Sequence, residues 1–480
     1  MPAANRGLNH LSGAMASLTI VVVTASSSLA GPVPSPSIRI LADDLTTSRF
    51  GEAVAIDGDV AIIGAGGDSV NGKDSGAVYA YHRQPDGSWI QEQKLSPADG
   101  DIDDLFGFSV DLLNDLAIIG AYRDNDNGSD SGSAYIFHRG ANGVWTEEAK
   151  LLPLDGSTLD RFGFSVSIGV GFEGIAACVG AYLDDAAGPD SGSVYIFERD
   201  FAGAWTETAK FQGLDTEDSD SFGWSVAIDG ETALVGAYLD DDLGNGAGAA
   251  YVFRRDLFGG WTQLQKLTAT DGFAIDNFGI NVDLDGSTAV IGAFLDDDNG
   301  PESGSAYVFG FSGGSWTQTA KLIAPDGAPG ESFGRFTAVK GTQIVVGAEH
   351  QNAGMADAGA AYAYEQVNGQ WVLTNKLVST DMGPSEEYGH DVGIDADTAL
   401  IGAWREFDVT VTGAAYLYDL SLIACTGDLN ADNQINTADL GILISVFGST
   451  DPTADINGDG IVDTADLGLL ISVFSAGCTP

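Results

Sequence analysis

The sequence predicts a mainly β protein, a seven-bladed β-propeller with four-stranded antiparallel blades, followed by a small all-α domain. Three observations lead to this prediction. A strand-rich unit of about 56 residues recurs seven times, the last copy lacks its final strand, and residues 425–480 follow a different pattern. The 480-residue chain also contains 65 glycines and 14 prolines, which indicates many turns and therefore many short strands.

Each repeat opens with an aromatic residue followed by glycine, at intervals of 56, 56, 60, 56, 55 and 55 residues. The seven aromatic residues are Phe50, Phe106, Phe162, Phe222, Phe278, Phe333 and Tyr388. A second apolar run ends in Gly-Ala, a third is marked by tyrosine, and a fourth begins with tryptophan and reaches lysine five residues later. Four such strands make one blade, and a ring of seven blades removes most exposed sheet edges.

The two ends of the repeat indicate how the ring closes. Six units carry the fourth strand, whereas in the seventh the chain passes almost directly into the C-terminal domain. Arg39 lies 11 residues before Phe50, close to the 12-residue spacing between each fourth-strand lysine and the next aromatic–glycine pair. We therefore expect a strand at about 38–42 to complete blade seven of a propeller spanning 31–420. An open solenoid is the alternative.

The order Phe-Gly-x-Ser-Val, then Gly-Ala, then Gly-x-x-Tyr resembles the FG-GAP repeats of integrin-α-type propellers, over about residues 38–420. The resemblance implies a closed propeller that binds a ligand or mediates adhesion. Members of that family often carry a calcium loop of alternating Asp and Asn between the first two strands. Here that connection is only a turn, such as Asp229-Gly230, which leaves calcium in the blades open.

The chain is strongly acidic, with 69 Asp and Glu against 20 Lys and Arg and a formal net charge of −49. This charge disfavours nucleic acid and anionic lipid as partners and favours cations or a basic protein; a solvated surface selected for solubility is the alternative. The acids cluster in the second-to-third-strand loops and the blade-to-blade links, on one face of the predicted disc. One loop, Asp124-x-Asp126-x-Gly128-x-Asp130, has the alternating oxygens that calcium prefers, but a plain solvated loop fits equally.

An aromatic residue often follows the Gly-Ala pair: Tyr122, Tyr182, Tyr238, Phe294 and Trp404. Such rings either stack on sugars at the mouth of a propeller or pack between blades. Blades six and seven depart from the repeat, and we predict the ligand face there. Its candidate residues are Glu349, His350, Trp404, Arg405 and Glu406.

Residues 425–480 contain two tandem twelve-residue loops with potential oxygen ligands at positions 1, 3, 5, 7, 9 and 12. Calcium takes six to eight oxygens from a tight turn, and position 7 supplies its carbonyl, so the spacing predicts two calcium ions. The predicted ligands are Asp428, Asn430, Asp432, Gln434, Asn436 and Asp439, then Asp455, Asn457, Asp459, Ile461, Asp463 and Asp466. A pair of solvated acidic turns is the alternative.

Each loop leads into a helix, and the two helical segments, 437–447 and 464–474, differ at one position only. The lack of an incoming helix and the Asp at position 12 resemble the type I dockerin module. The resemblance implies calcium-dependent binding to a cohesin domain near the starts of the two helices. By motif position the contacts are Thr437, Ala438, Thr464 and Ala465.

The three cysteines divide into two kinds. Cys178 lies in an apolar strand pattern and is most simply a small buried residue. Cys425 and Cys478 bracket the last domain and would meet if the entry of its first loop lies beside the exit of its second helix. We predict that they form a disulfide, because a domain with so small a core gains from a covalent clasp in an exported protein.

The N-terminus has the pattern of an export signal, predicted over residues 1–30. Basic residues precede an apolar stretch at 15–25, and Ser28 and Ala30 supply the small residues for cleavage before Gly31. No later segment has 18 consecutive apolar residues. We expect a secreted or cell-surface chain without a membrane span once processed; an uncleaved anchor is the alternative.

The sequence predicts no catalytic residue. Nearly all acids recur at equivalent blade positions or lie in loops, and the histidines have neither Ser-His-Asp nor metal-ligand spacing. We therefore predict a secreted binding, adhesion or scaffold-associated protein that takes a protein or polysaccharide ligand and docks to a cohesin partner. The alternative is a carbohydrate-active hydrolase or lyase that its dockerin carries into a polysaccharide-degrading complex.

Overall fold

The computed structural model describes residues 38–44, 49–171, 174–353, 356–379, 385–404, 413–420, 437–449 and 461–473, together with residues 429, 454 and 456. The strands in these ranges form seven antiparallel sheets of four strands each, and two helices follow them. The fold is therefore the predicted seven-bladed β-propeller with a small helical domain.

Blades one to three comprise β2 Val54–Asp57, β3 Val60–Ala65, β4 Ala77–Arg83, β5 Trp89–Leu95; β6 Ser109–Leu113, β7 Leu116–Ala121, β8 Ser133–Arg139, β9 Trp145–Leu151; and β10 Ser165–Val170, β11 Ile175–Ala181, β12 Ser193–Arg199, β13 Trp205–Phe211. Blades four to six comprise β14 Ser225–Asp229, β15 Thr232–Ala237, β16 Ala249–Arg255, β17 Trp261–Leu267; β18 Val282–Asp285, β19 Thr288–Ala293, β20 Ser305–Ser312, β21 Ser315–Leu322; and β22 Thr337–Lys340, β23 Gln343–Ala348, β24 Ala360–Val367, β25 Gln370–Leu377. Blade seven comprises β26 Tyr388–Asp395, β27 Thr398–Ala403, β28 Ala414–Asp419 and β1 Ile38–Ile40, and the helices are α1 Thr437–Ser445 and α2 Thr464–Val473.

Burial along each blade follows its apolar pattern. The second strand, such as Leu116–Ala121, is buried along its whole length, since it lies between two strands of its own blade and between neighbouring blades. The fourth strand, such as Trp145–Leu151, alternates between buried and exposed residues because it forms the outer edge. The core therefore lies between the blades, and the first strands surround the central axis.

The ring is closed by the N-terminal strand. β1 pairs antiparallel with β28, and Arg39 lies opposite Tyr416 in the register. Blade one is also joined to blade seven at the axis, where the amide of Val54 donates to Asp391 Oδ2 over 2.7 Å. These contacts exclude the open solenoid.

Adjacent blades approach each other most closely at one repeated glycine. Gly192, the glycine of the Gly-x-x-Tyr motif in blade three, forms a parallel bridge with Phe222, the first aromatic residue of blade four. Its φ is +86°, and a Cβ atom placed on it would lie 2.0 Å from the Phe222 carbonyl oxygen. A side chain therefore has no room at this contact, and glycine also accommodates the positive φ.

Candidate functional site

The seven first strands surround an axial cavity of about 620 Å³ on the face that carries the second-to-third-strand loops. We call this cavity the funnel. Its wall includes the residues that follow the aromatic–glycine pairs, which differ from blade to blade: Glu52, Phe108, Phe164, Trp224, Ile280, Arg335 and His390. Tyr122, Arg123 and Trp404, which follow Gly-Ala pairs, also line it.

One side of the funnel is aromatic. Six rings from blades two to four form a continuous set of contacts with centroid distances of 4.4 to 5.4 Å. We call them the aromatic arc: Phe108, Tyr122, Phe164, Tyr182, Trp224 and Tyr238. Both alternatives for the aromatic residues apply, since the rings pack across blades while Phe108, Phe164 and Trp224 also remain half-buried at the cavity wall.

The opposite side, from blades six, seven and one, is polar. We call its members the polar arc: Arg49, Glu52, Arg335, Glu349, His390 and Trp404. At its centre the Glu349 carboxylate contacts Arg335 Nε at 2.9 Å and His390 Nδ1 at 2.6 Å. The His390 ring packs between Phe336 and Trp404, with centroid distances of 4.8 and 4.5 Å. The break in symmetry therefore joins a charged cluster to aromatic side chains.

The environment of this cluster sets its protonation. Burial opposes ionisation of Glu349, but the hydrogen bond from His390 and the charges of His390 and Arg335 outweigh it, so the pKa of Glu349 lies below its ordinary value. Burial also lowers the pKa of His390, although the bond to Glu349 opposes that change. At neutral pH the imidazole is therefore mainly neutral, and we assign its Nδ1 proton to the bond with Glu349.

The predicted ligand-face residues are placed differently from one another. Trp404 lines the funnel, and Glu349 is buried among the polar arc. His350 lies outside the cavity wall and contacts Ser332 Oγ at 3.2 Å. Arg405 and Glu406 lie outside the described residues.

Sequence reasoning missed several residues of the funnel. Arg335 and His390 occupy the repeat position directly after the aromatic–glycine pair, which holds Phe108 in blade two. Comparing that single position across the seven units would have found them. Glu387 was also missed; its carboxylate, that of Glu349 and the His390 ring bring potential metal ligands within 4.8 Å of one another.

The acidic loops are neutralised from within each blade. Lys150 Nζ lies 2.9 Å from Asp124 Oδ2, 2.7 Å from Asp126 Oδ2 and 2.8 Å from Asp99 Oδ2. The Tyr135 hydroxyl also donates to the buried Asp124 carboxylate. Equivalent lysines bind loop and link aspartates at Lys94, Lys210, Lys266 and Lys321. A lysine ammonium therefore takes the place between Asp124 and Asp126 that blade calcium would need.

Beneath the funnel the axis is lined by carboxyl groups. Asp111, Asp283 and Asp391 accept backbone N–H groups of the next blade, with distances of 2.8, 2.6 and 2.7 Å. Protein surrounds each carboxyl while one side faces the narrow channel. Burial, together with the charge of neighbouring acids, raises the pKa of Asp111 to about 6 and the pKa values of Asp283 and Asp391 to about 7.

These raised pKa values predict that the propeller is more stable in mild acid. The folded state holds protons that the unfolded state releases above pH 4, so this stabilisation is complete below about pH 4 and is lost as pH rises through 6 to 7. His390 contributes the opposite sign, since its lowered pKa removes stability below about pH 6.5, but it is one group against several carboxyls. We expect the propeller Tm to be higher at pH 5.5 than at pH 8, by on the order of 5 °C.

Calorimetry of Asp283→Asn checks this assignment. The amide keeps an acceptor for the Val339 N–H but carries no charge, so its Tm should exceed wild type at pH 8 and match it at pH 5.5. Asp59→Asn, on an exposed turn, is the matched control and should change neither value. A Tm that falls between pH 8 and pH 5.5 contradicts the prediction.

The C-terminal domain places one fully buried aspartate in the first turn of each helix, Asp439 in α1 and Asp466 in α2. Asp439 Oδ1 accepts the Leu429 N–H over 2.8 Å, and Asp466 Oδ2 accepts the Asp463 N–H over 2.7 Å. The helices pack through a small cluster of Leu443, Ala454, Val462 and Leu470. Both carboxylates are thereby fixed where a twelve-residue loop supplies its last ligand.

The charge of this domain fits a bound cation. Residues 425–480 contain eight aspartates and no Lys, Arg or His. Buried carboxylates require a counter-charge, and this segment has no side chain that supplies one. Oxygen donors without nitrogen or sulfur are the ligand set that calcium selects.

The remaining C-terminal predictions fall partly outside the described residues. Asp439, Ile461, Asp463 and Asp466 are described, whereas Asp428, Asn430, Asp432, Gln434, Asn436, Asp455, Asn457 and Asp459 are not. Cys425, Cys478 and the predicted signal peptide also lie outside, and Cys178 is buried in β11 as a free thiol. The candidate partner contacts Thr437, Ala438, Thr464 and Ala465 are all exposed.

Comparison with protein families accounts for both parts of the chain. The family model of the FG-GAP repeat matches seven segments: 38–81, 89–137, 145–197, 205–253, 261–309, 316–364 and 371–418. The chain belongs to the FG-GAP repeat family. Residues 426–475 of this FG-GAP protein match the dockerin type I domain. A search of curated proteins found no match.

The two family matches carry functional statements of different kinds. An FG-GAP propeller has a binding role, and a type I dockerin binds calcium and docks to a cohesin domain. Dockerin-bearing proteins are typically extracellular or attached to the cell surface. Neither helix in the described part of this FG-GAP protein is long and apolar enough to cross a membrane.

Proposed function

We propose that this protein is a secreted, non-enzymatic module that binds a polysaccharide in the funnel of its propeller and attaches to a cohesin-bearing partner through its dockerin. The observation that carries the proposal is the aromatic arc facing a polar arc around one cavity. Its volume of about 620 Å³ lies within the usual range for ligand sites. A cavity of this size accommodates a short segment or an end of a chain rather than a protein surface.

The two arcs suit the two faces of a sugar. The half-buried faces of Phe108, Phe164 and Trp224 offer flat apolar surface for the C–H face of a pyranose ring. Arg335 and His390 supply donors and acceptors for its hydroxyl groups. Because the arcs come from different blades, a bound sugar has one preferred orientation.

The dockerin part of the proposal concerns residues 425–480. We propose that it binds two calcium ions through the twelve predicted ligands, with Asp439 and Asp466 closing the two loops, and that Cys425 pairs with Cys478. We also propose that its partner surface comprises the exposed starts of α1 and α2 with the apolar residues beside them. Ile444 and Ile471, both 58% exposed, lie one to two turns along the helices.

A binding assay on a single ring tests the sugar-binding proposal. Trp224→Ala removes the ring that contacts Phe164, Tyr182 and Tyr238, and we expect affinity for the retained polysaccharide to fall roughly 30-fold, as for a loss of about 2 kcal/mol. Affinity electrophoresis of the full mature chain in calcium against a panel of neutral and acidic polysaccharides measures this. Trp224→Phe should retain most of the affinity.

Phe201→Ala is the matched control, because Phe201 is fully exposed in the turn between β12 and β13. It should bind as wild type does. If no polysaccharide is retained, or if Trp224→Ala and Phe201→Ala behave alike while both keep the wild-type Tm, the funnel is not a sugar site.

Cleavage of the polysaccharide is a second candidate function, and one observation favours it. His390 lines the funnel with a lowered pKa and a hydrogen bond to the buried Glu349, which suits a neutral general base. The same panel assayed for product release distinguishes the candidates. Retention without product supports the binding module, and release of shortened chains supports a hydrolase or lyase.

A further inference from the structure

The positive charges of this acidic chain are distributed unevenly. Only 20 of its 480 residues are Lys or Arg, yet three arginines, Arg49, Arg123 and Arg335, line the funnel. A fourth, Arg161, lies with its guanidinium carbon 5.3 Å from the centroid of the Tyr122 ring in the aromatic arc. The funnel therefore concentrates arginine in a protein whose formal net charge is −49.

Two of the three lining arginines are already neutralised. Arg49 NH1 lies 3.2 Å from Glu52 Oε1, and Arg335 Nε lies 2.9 Å from Glu349 Oε1. Each also packs on an aromatic ring, Arg49 on Trp404 and Arg335 on Phe294. These pairs hold the polar arc in place and leave little charge for a ligand.

Arg123 differs from both. Its guanidinium carbon lies 5.5 Å from the centroid of the Tyr122 ring, and within the described ranges its side chain makes no hydrogen bond or ion pair. Its Nε is buried and lacks a partner. Arg161 Nε is likewise buried without a partner, and its nearest carboxylate among the described residues, Asp130, is 3.9 Å away. A pair of guanidinium groups around Tyr122 is thus held by its ring and weakly compensated.

The acids at the funnel do not cancel this charge. Lys73 Nζ lies 2.7 Å from Asp74 and 3.7 Å from Asp103, the two aspartates at the rim. Glu52 is paired with Arg49 and also accepts the Gly66 N–H over 3.1 Å. Asp391, at the base, has its pKa raised to about 7 by burial, so it is partly protonated at neutral pH. Arg123 remains the lining cation without a carboxylate partner in the described structure.

We propose that the funnel selects an acidic sugar, a uronate carboxylate or a sulfate ester, which Arg123 binds while the sugar ring packs on the aromatic arc. This inference rests on the sugar-binding function proposed above and names the ligand class. Guanidinium groups bind planar oxyanions with two parallel hydrogen bonds, which a neutral hydroxyl cannot match. Stacking on Tyr122 orients the fork at little cost in side-chain entropy.

Titration calorimetry with matched trisaccharides tests the inference on the full mature chain in calcium. The probes are trigalacturonate, galactotriose and a sulfated galactotriose, which differ in charge and in its source. We expect trigalacturonate or the sulfated sugar to bind at least about 10-fold more tightly than galactotriose, with affinity falling as salt rises. Whichever of the two binds more tightly identifies the anion as carboxylate or sulfate.

Arg123→Gln should reduce the affinity for the acidic sugar by roughly 10- to 100-fold and leave galactotriose binding unchanged. Arg254→Gln is the matched control, since Arg254 also lies over a ring, 5.9 Å from the centroid of Phe311, but is exposed outside the funnel. It should bind as wild type does. Both variants retain the dockerin, so calcium bridging to its carboxylates would affect them equally.

Equal affinity for galactotriose and the acidic sugars, or equal binding by Arg123→Gln and Arg254→Gln, overturns the inference. In that case binding of neutral sugar that is lost in Trp224→Ala still supports the proposed function. If none of the three probes and no polysaccharide of the panel binds, the proposed function fails as well.

Discussion

Removing calcium with a chelator is expected to unfold residues 425–480 and abolish cohesin binding while the propeller stays folded. The domain has eight aspartates, no basic side chain and a core of only a few apolar residues, so the free energy of ion binding supplies most of its folding free energy. Far-ultraviolet circular dichroism should lose the helical signal, and cohesin affinity should fall by more than about 100-fold. The propeller transition in calorimetry should be unchanged.

Single substitutions locate the effect at the loops. Asp439→Ala and Asp466→Ala remove the buried position-12 carboxylates, and each should weaken both calcium and cohesin binding. Asp451→Ala is the matched control, because Asp451 lies in the same domain but outside the predicted ligand set. Should the chelated domain keep its helices and its partner, or should all three variants behave alike, the calcium assignment is wrong.

Gly192→Ala is expected to destabilise the propeller by about 3 kcal/mol or more. The new Cβ would lie 2.0 Å from the backbone oxygen of Phe222, and backbone cannot move aside as a flexible side chain can. Blades three and four would have to separate, which opens the contacts of Phe222 with Tyr251 and Phe253. Thermal unfolding of the two proteins measures the difference.

Gly87→Ala isolates the steric part of this effect. Gly87 has φ +85°, nearly the same as the +86° of Gly192, but a Cβ on it would meet nothing within 4 Å. Its substitution should therefore cost only the backbone strain of a positive φ, about 1 kcal/mol. Equal destabilisation by the two substitutions would show that backbone conformation, and not blade contact, explains the glycine.

Much of the fold could be predicted because its determinants are local and repeated. The interval from Phe106 to Phe162 and the apolar run Leu116–Ala121 between them specify a blade without knowledge of its neighbours. The missing seventh fourth strand and Arg39 before Phe50 were enough to predict how the ring closes. The twelve-residue spacing likewise predicted the calcium loops, since the ligands of one ion come from one short segment.

The ligand site was less predictable because its residues come together only when the ring is complete. Phe108, Phe164 and Trp224 are separated by 56 and 60 residues and belong to three blades. Each alone reads as one more half-buried aromatic residue of a strand. Glu349 was predicted as part of the ligand face, but its partners Arg335 and His390 were not, since the contact crosses from blade six to blade seven.

The sequence alone therefore determined the propeller, its number of blades and its calcium-type loops, because strand periodicity and ligand spacing act over a few residues to a few tens. Tertiary structure decided which charges are free. Asp124 and Asp126 look like a cation site until Lys150, at the end of β9, is placed between them, whereas Arg123 is left without a carboxylate among the described residues. Electrostatic compensation depends on distance in space, and that distance exists only in the closed ring.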